Sequence, residues 1–455
     1  MVKEWKEIKK AGLSRADLET IRTSLAIPNP VWAKQIKRGD TPKGNILSHI
    51  ICYTEDQGSI YVPRYFSLSR FPLENRQYLD RPIKWPATKW KPRPEQLGPI
   101  QALRDHKEGV VVLPCGSGKT VLTLLYLGLR GQKALAVSPT ETVRDQWCEY
   151  FEFMYLEGWS HPVSGKNWKT DSPLSSVTLQ QIALHPPPPE FFQQFGVVIF
   201  DEVDVANAAQ LSQALRMFNA ERIGLTATKA RDDRMDVLTD LHIGPVIYRR
   251  EDVPPELRAN IYIVRTGFWM STSANLPLEI TRVSMLTEKM ERVFSTLQRA
   301  IEKGRKIFVL CERIEQAEMY YRHALKLEID CTLAHSDIQK SKRDYSRQVI
   351  FATNLIGRGF NCEELDTILV TGIFSYSARE FKQLLGRLQR SAEKKRPTVV
   401  IYLDRHPQLA GQLRKILAKT KDYYSNAQYL QDKPVVLSVP RIKLGRLANA
   451  GLHKS

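Results

Sequence analysis

The sequence predicts an α/β chain in which two tandem parallel-sheet domains, each flanked by helices, follow a small α+β N-terminal domain and precede a short basic tail. Three observations predict it. Short apolar, β-branched runs such as Val110-Val-Val-Leu-Pro114, Phe195-Gly-Val-Val-Ile-Phe200 and Lys306-Ile-Phe-Val-Leu-Cys311 read as strands buried on both faces. Helix-forming stretches separate such runs through residues 94–255 and again through 285–403, the alternation that parallel sheets need. Glycine-rich or acidic turns stand directly after two of the strands, where open parallel sheets bind ligands.

Residues 1–85 are assigned to the basic N-terminal accessory domain. There Ser14–Ser24, with Asp17, Leu18, Ile21 and Arg22, patterns as a short helix, and Ile46–Phe66 alternates like paired strands about Asp56-Gln-Gly58. Pro72–Pro94 is rich in Pro, Arg and Trp and reads as an extended linker, with Trp85 and Trp90 expected to pack on the domain that follows.

The first sheet domain, residues 86–260, carries a loop between the strand ending at Pro114 and the helical stretch Thr120–Leu127. Gly116 and Gly118 let that backbone curl so that its N–H groups converge on an anion at a helix N-terminus. Pro114, Cys115, Gly116, Ser117, Gly118, Lys119 and Thr120 are therefore the nucleotide-binding candidates. Lys119 would reach the β- and γ-phosphates of ATP, and the Thr120 hydroxyl would hold Mg²⁺. The strict spacing of such a loop begins with Gly, and Leu113 stands in that place. Asp201-Glu202 is delivered to the end of another strand, Asp201 to the Mg²⁺ shell and Glu202 to orient and deprotonate an attacking water. His185-Pro-Pro-Pro-Pro189 reads as a rigid surface loop.

Over Glu251–Leu278 the periodicity fades between Pro254-Pro255 and Pro277, and the chain is expected to cross there to the second sheet domain, residues 261–430. That domain contains the predicted helices Glu288–Lys303, Ser377–Arg390 and Leu409–Tyr424. On the second of these, spacings of three and four bring Gln383, Arg387 and Arg390 to one side. An arginine supplied from a second domain can neutralise the charge that builds on a transferred γ-phosphoryl group, so these three join the catalytic candidates, and Arg387 and Arg390 the nucleotide-binding ones as well.

The formal net charge of +18 is concentrated at the two ends. Residues 1–93 hold 18 Lys and Arg against 9 Asp and Glu, residues 391–455 hold 13 against 4, and residues 94–390 balance at 36 each. Excess positive charge outside a neutral centre is what a grip on a polyphosphate polymer looks like; the tail, 431–455, belongs to it. The charged start, without an apolar signal core, and the short apolar runs predict a cytoplasmic, non-membrane protein of a prokaryotic or phage-infected cell. Six cysteines without a close pair read as thiols in a reducing compartment rather than a zinc site.

Taken in order, these motifs resemble a superfamily 2 helicase, and within it the branch of XPB, RecG-like translocases and phage UvsW-type branch-migration enzymes. The resemblance covers residues from about 93 to about 405 and implies two RecA-like domains closing on ATP. It adds Arg93-Pro-Glu-Gln96, whose Arg93 and Gln96 would read adenine, and a phosphate loop that in XPB also begins Leu-Pro-Cys-Gly. It implies backbone contacts to nucleic acid by Thr140 and Gln146, by Thr178 in Ser176-Val-Thr178-Leu-Gln180, and by Thr353. Asp204, Thr226 and Thr228 would couple hydrolysis to strand movement, and Gly359 would lie at the nucleotide. Two residues depart from the pattern: Asp204 stands where many relatives in the branch have His, and Asn361 where Asp is usual.

The expected function is ATP-dependent remodelling of branched or duplex DNA by a monomer, working with replication or recombination proteins. The rivals are an RNA helicase, which Asp204 favours, the motor subunit of a restriction complex, and a nucleic-acid clamp with a vestigial ATPase.

Overall fold

A computed structural model describes residues 6–37, 39, 41, 47–67, 78–114, 116–155, 160–163, 168, 170–203, 217–227, 236–250, 253, 255–339, 343–353, 364–388 and 397–430. Among them, no helix is long and apolar enough to cross a membrane. Of the candidate site residues, Cys115, Asp204, Thr228, Gly359 and Arg390 lie outside this set, as does the tail 431–455.

The first sheet has seven strands: β6 (Gly109–Val112), β7 (Ala134–Ser138), β8 (Ser160–Pro162), β9 (Leu174–Thr178), β10 (Val197–Phe200), β11 (Glu221–Thr226) and β12 (Val246–Arg249). They lie in the order β12-β6-β11-β10-β7-β9-β8, and every pairing is parallel. Helices cover its faces, so the sequences of β6, β7 and β10 carry no polar alternation and are buried throughout.

The second sheet is also seven-stranded and parallel: β13 (Ala259–Trp269), β14 (Ile307–Cys311), β15 (Cys331–Ala334), β16 (Val349–Thr353), β17 (Thr367–Val370), β18 (Thr398–Arg405) and β19 (Tyr424–Leu430), in the order β15-β16-β14-β17-β18-β13-β19. A buried ion pair stands within this lobe, Lys289 Nζ to Asp404 Oδ2 at 2.5 Å, and the Thr266 hydroxyl donates to the other carboxylate oxygen at 2.6 Å. Two expectations are corrected in this lobe. The presumed crossing 251–278 contains the 11-residue strand β13, paired along β18 and β19. The helix expected to reach Tyr424 stops at Lys419: the N–H groups of Thr420 and Tyr423 bond to carbonyls three residues back, Leu417 at 3.2 Å and Thr420 at 3.0 Å, so the chain tightens into a 3-10 turn and Tyr424 opens an edge strand.

In the N-terminal region, β1 (Lys6–Lys9), β4 (Thr54–Glu55) and β5 (Ser59–Val62) form an antiparallel sheet, and β2 (Ala26–Pro28) pairs with β3 (His49–Ile51). The helix Arg15–Ser24 starts in a capping box between Ser14 and Asp17. Asp56 makes the β4–β5 turn, accepting from the N–H groups of Gly58 and Ser59 at 2.9 and 2.8 Å. Its core of Ile8, Ile21, Leu25, Cys52, Ile60, Val62 and Phe66 is completed by Leu238, from the helix Asp236–His242 of the first lobe. Beside that contact, Arg64 is 5% exposed and donates to Glu108 Oε2 at 3.0 Å and to the carbonyls of Ala220 and Phe218 at 2.9 and 3.2 Å.

Within the stretch read as a linker, residues 78–93 contain no helix and are tied to the first lobe by backbone bonds, Leu79 N–H to the Asn219 carbonyl at 3.0 Å and Ile83 N–H to the Gly131 carbonyl at 2.9 Å. Trp85 is buried there against Phe151 and Tyr155, ring centroids 5.4 and 5.5 Å away, and its Nε1 donates to the Gln132 carbonyl at 2.9 Å.

Candidate functional site

Parallel strands in register end together, and the candidate residues sit at those ends. Thr226 on β11 is level with Val112 on β6, Gly224 with Phe200 on β10, and Phe200 with Val137 on β7. Backbone bonds continue the ladder beyond the strands: Leu113 N–H to the Thr226 carbonyl at 3.0 Å, Val203 N–H to Leu225 at 3.1 Å, and Asp201 N–H to Val137 at 2.9 Å. Lys119, Thr120, Asp201, Glu202 and Thr226 are thereby gathered at the carboxyl edge of adjacent strands, where a ligand meets open parallel sheets.

The phosphate loop has the backbone its glycines permit, with Gly116 at φ +80° and Gly118 at φ +75°. Gly118 caps the helix Lys119–Arg130, and Lys119 Nζ lies 3.1 Å from the carbonyls of Leu113 and Pro114. Leu113 is itself buried, so the side chain in place of the first glycine points into the core. The buried Ser117 Oγ has no hydrogen-bond partner among the described residues, leaving a polar atom in the loop for a phosphate oxygen to satisfy.

Gln96 is fixed against this loop. Its Oε1 accepts from the Arg93 N–H at 3.0 Å, and its Nε2 stands 3.4 Å from the Gly118 carbonyl. A Cβ on Gly118 would come within 2.7 Å of that nitrogen, so the loop and the adenine-reading candidate occupy each other's space. The helix bearing Gln96, Pro94–His106, is tied to β12 through the Arg250 guanidinium, which donates to the Glu95 carbonyl at 3.3 Å.

At β10, Glu202 adopts φ +47°, a left-handed conformation uncommon outside glycine and concentrated at functional turns. Its N–H donates to Asp201 Oδ1 at 2.8 Å, while Trp147 Nε1 donates to Asp201 Oδ2 at 3.0 Å. Trp147 is fully buried and orients that carboxylate from the helix Glu141–Met154. Sequence reasoning set it only beside Gln146, in a motif expected to touch the nucleic-acid backbone, and gave it no part in holding Asp201. The signal available was only that a buried indole N–H must find an acceptor, and the acceptor lies 54 residues away.

Thr140 and Thr178 turn out to be helix N-caps, their hydroxyl oxygens accepting from Val143 and Gln181 N–H groups at 3.4 and 3.2 Å. A capping hydroxyl keeps its own hydrogen to donate, and the start of the 14-residue helix Glu141–Met154 adds the positive end of its dipole. Gln146 is half-buried on the first of these helices. Its neighbour Cys148 is buried beside Ser176, and burial pushes the thiol up. Thr353 ends β16 with a buried hydroxyl that has no partner among the described residues.

Gln383 and Arg387 belong to the second lobe, one turn apart on the helix Ala378–Leu388. Phe381, Leu384, Leu385 and Leu388 bury its other side, and Ser377 and Glu380 cap it reciprocally, at 2.7 Å from the Ser377 N–H and 3.2 Å from the Glu380 N–H.

Comparison with known proteins follows the two lobes. Residues 87–231 match the family described as type III restriction enzyme, res subunit, and residues 288–392 match the helicase conserved C-terminal domain. A putative ATP-dependent RNA helicase of Acanthamoeba polyphaga mimivirus is 21% identical over 388 residues, 77% of this chain and 72% of that protein. A DNA 3'-5' translocase, XPB2 of Sulfurisphaera tokodaii, is 28% identical over 190 residues, 42% of each chain. Among solved structures, S. cerevisiae Dbp5 bound to RNA and ADP BeF3 superposes with a TM-score of 0.57 at 14% identity, covering 75% of this chain and 90% of the other, a likeness of fold. With both family matches falling in order on two parallel-sheet lobes, the chain belongs to the superfamily 2 helicases, ATP-dependent translocases on nucleic acid.

Proposed function

We propose that the protein is an ATP-dependent DNA translocase that remodels branched or duplex DNA, such as forks and four-way junctions. The observation that carries the DNA reading is the Arg93-Pro-Glu-Gln96 element held against the phosphate loop by Gln96, the form found in the branch of XPB and UvsW-type enzymes. The relative named as a DNA translocase supports it. So does the positive charge in the flanks, 18 against 9 and 13 against 4, which suits a polymer of phosphates. The enzyme is proposed to act as a cytoplasmic monomer.

In this reading Lys119 and the loop N–H groups bind the phosphates, and Gln96 with Arg93 holds the base. Glu202 orients a water and takes its proton, while Trp147 keeps Asp201 aimed at the same point. The Asp201 carboxylate and Thr120 hydroxyl are hard oxygen donors suited to Mg²⁺, which would supply charge neutralisation at the β- and γ-oxygens. Arg387, with Gln383 and Arg390 as its proposed helpers, meets the charge that develops on transfer. Thr226, with Thr228 and Asp204, relays the change to Thr140, Gln146, Thr178 and Thr353 on the strand.

The test is the ATPase rate on matched single-stranded, duplex, forked and four-way-junction DNA and on RNA, with Glu202→Gln as control. Stimulation by forks and junctions, absent in the control, supports the proposal. Stimulation by RNA alone transfers the protein to the RNA helicases, a reading the mimivirus relative's name favours.

A further inference from the structure

The loop Gly372–Ser377 leads from β17 into the helix that carries Gln383 and Arg387, and side chains from two other elements hold it from opposite sides. Glu312 follows β14 directly. Its carboxylate accepts from the Phe374 N–H at 2.8 Å and from the Ser375 hydroxyl. From the helix Pro407–Lys419, the Gln412 amide nitrogen lies 3.0, 3.0 and 2.8 Å from the carbonyls of Ile373, Phe374 and Tyr376. The loop's N–H and hydroxyl donors thus go to a carboxylate and its carbonyls to an amide, so a carboxylate, which has no hydrogen to donate, cannot stand in for Gln412.

Glu312 is itself fixed. Its N–H donates to Gln316 Oε1 at 2.9 Å, and the same oxygen accepts from the Thr371 hydroxyl at 3.2 Å, just before the loop. Gly372 admits the carboxylate, since a Cβ there would stand 2.5 Å from Glu312 Cγ. Ile373 and Tyr376 are buried, so the loop cannot drift without exposing them. The start of the helix, and with it the reach of Arg387, is set by this clamp.

We propose that Glu312, together with Gln412, is a positioning residue for hydrolysis: it fixes where the arginine-bearing helix begins, and so how Arg387 meets the transferred phosphoryl group. The proposal rests on the role given to Arg387 above. Transition-state contacts are sensitive to small displacements, whereas nucleotide binding by the first lobe is not set by this loop.

The experiment uses the full chain with Glu312→Ala, Glu312→Gln and Gln412→Glu, measuring ATPase kinetics, fluorescent-nucleotide affinity and thermal unfolding. Glu312→Ala is expected to lower kcat by about tenfold or more, with nucleotide affinity within about threefold of wild type. Glu312→Gln can still accept from the Phe374 N–H and donate to Ser375 Oγ, so it should recover most of kcat. Gln412→Glu sets a carboxylate against three carbonyls and should reproduce the loss. Wild-type kcat in Glu312→Ala overturns the proposal, as do equal losses in Ala and Gln or a parallel loss of nucleotide affinity. A wild-type chain that no polymer stimulates refutes the DNA reading instead, while its basal turnover still permits the comparison of Ala with Gln.

Discussion

Removing one donor from Asp201 separates orientation of the carboxylate from simple packing. In Trp147→Phe the ring stays aromatic but the N–H 3.0 Å from Asp201 Oδ2 is lost. A hydrogen bond to a charged acceptor is worth about 1.5–3 kcal/mol, which corresponds to roughly 10- to 150-fold in rate if it is fully used in the transition state. The lost ring volume of roughly 40 Å³, at about 24 cal/mol per Å³, adds about 1 kcal/mol of destabilisation. Trp85→Phe is the matched control: Trp85 lies in the same apolar cluster, is 8% exposed, and spends its N–H on the neutral Gln132 carbonyl at 2.9 Å. Both variants should melt earlier, and only Trp147→Phe should lose kcat by at least about tenfold. ATPase assays well below the melting transition check this; equal kcat in the two variants would show that the indole only fills space.

Gly118→Ala should weaken nucleotide binding by about tenfold, since it puts a Cβ at φ +75° and 2.7 Å from Gln96 Nε2. Adding Gln96→Ala should cost much less in that background than alone, and additive losses in the nucleotide titrations would refute the contact. Arg64→Ala leaves Glu108 and two carbonyls in a buried site and should cost about 3–5 kcal/mol in denaturant unfolding; a loss below about 1 kcal/mol would remove the anchor role from Arg64.

Buried parallel strands announce themselves as unbroken apolar runs, which is why Val110–Val112, Val197–Phe200 and Ile307–Cys311 were legible. The helices after Ser14 and Ser377 were legible because spacings of three and four residues are local; the capping boxes that start them are seen in the structure. β19 was not, since Tyr424–Leu430 pairs on one side only and leaves most of its residues exposed. β13 alternates buried and half-buried residues between flanking prolines, and the prolines dominated the reading. At the site, spacing located residues contributed by contiguous motifs. It could not show Trp147 on Asp201 or Glu312 on Phe374, contacts made across 54 and 62 residues by tertiary folding alone.

The helix Asp236–His242, which lends Leu238 to the N-terminal core, is separated from Thr226 by only nine residues of chain. The N-terminal region is consequently not portable. A chimera that takes this region from another protein must also take a matching surface for that helix, or it will strand an apolar side chain beside the very segment proposed to transmit hydrolysis to the strand. Changes in the two parts are bound to be inherited together.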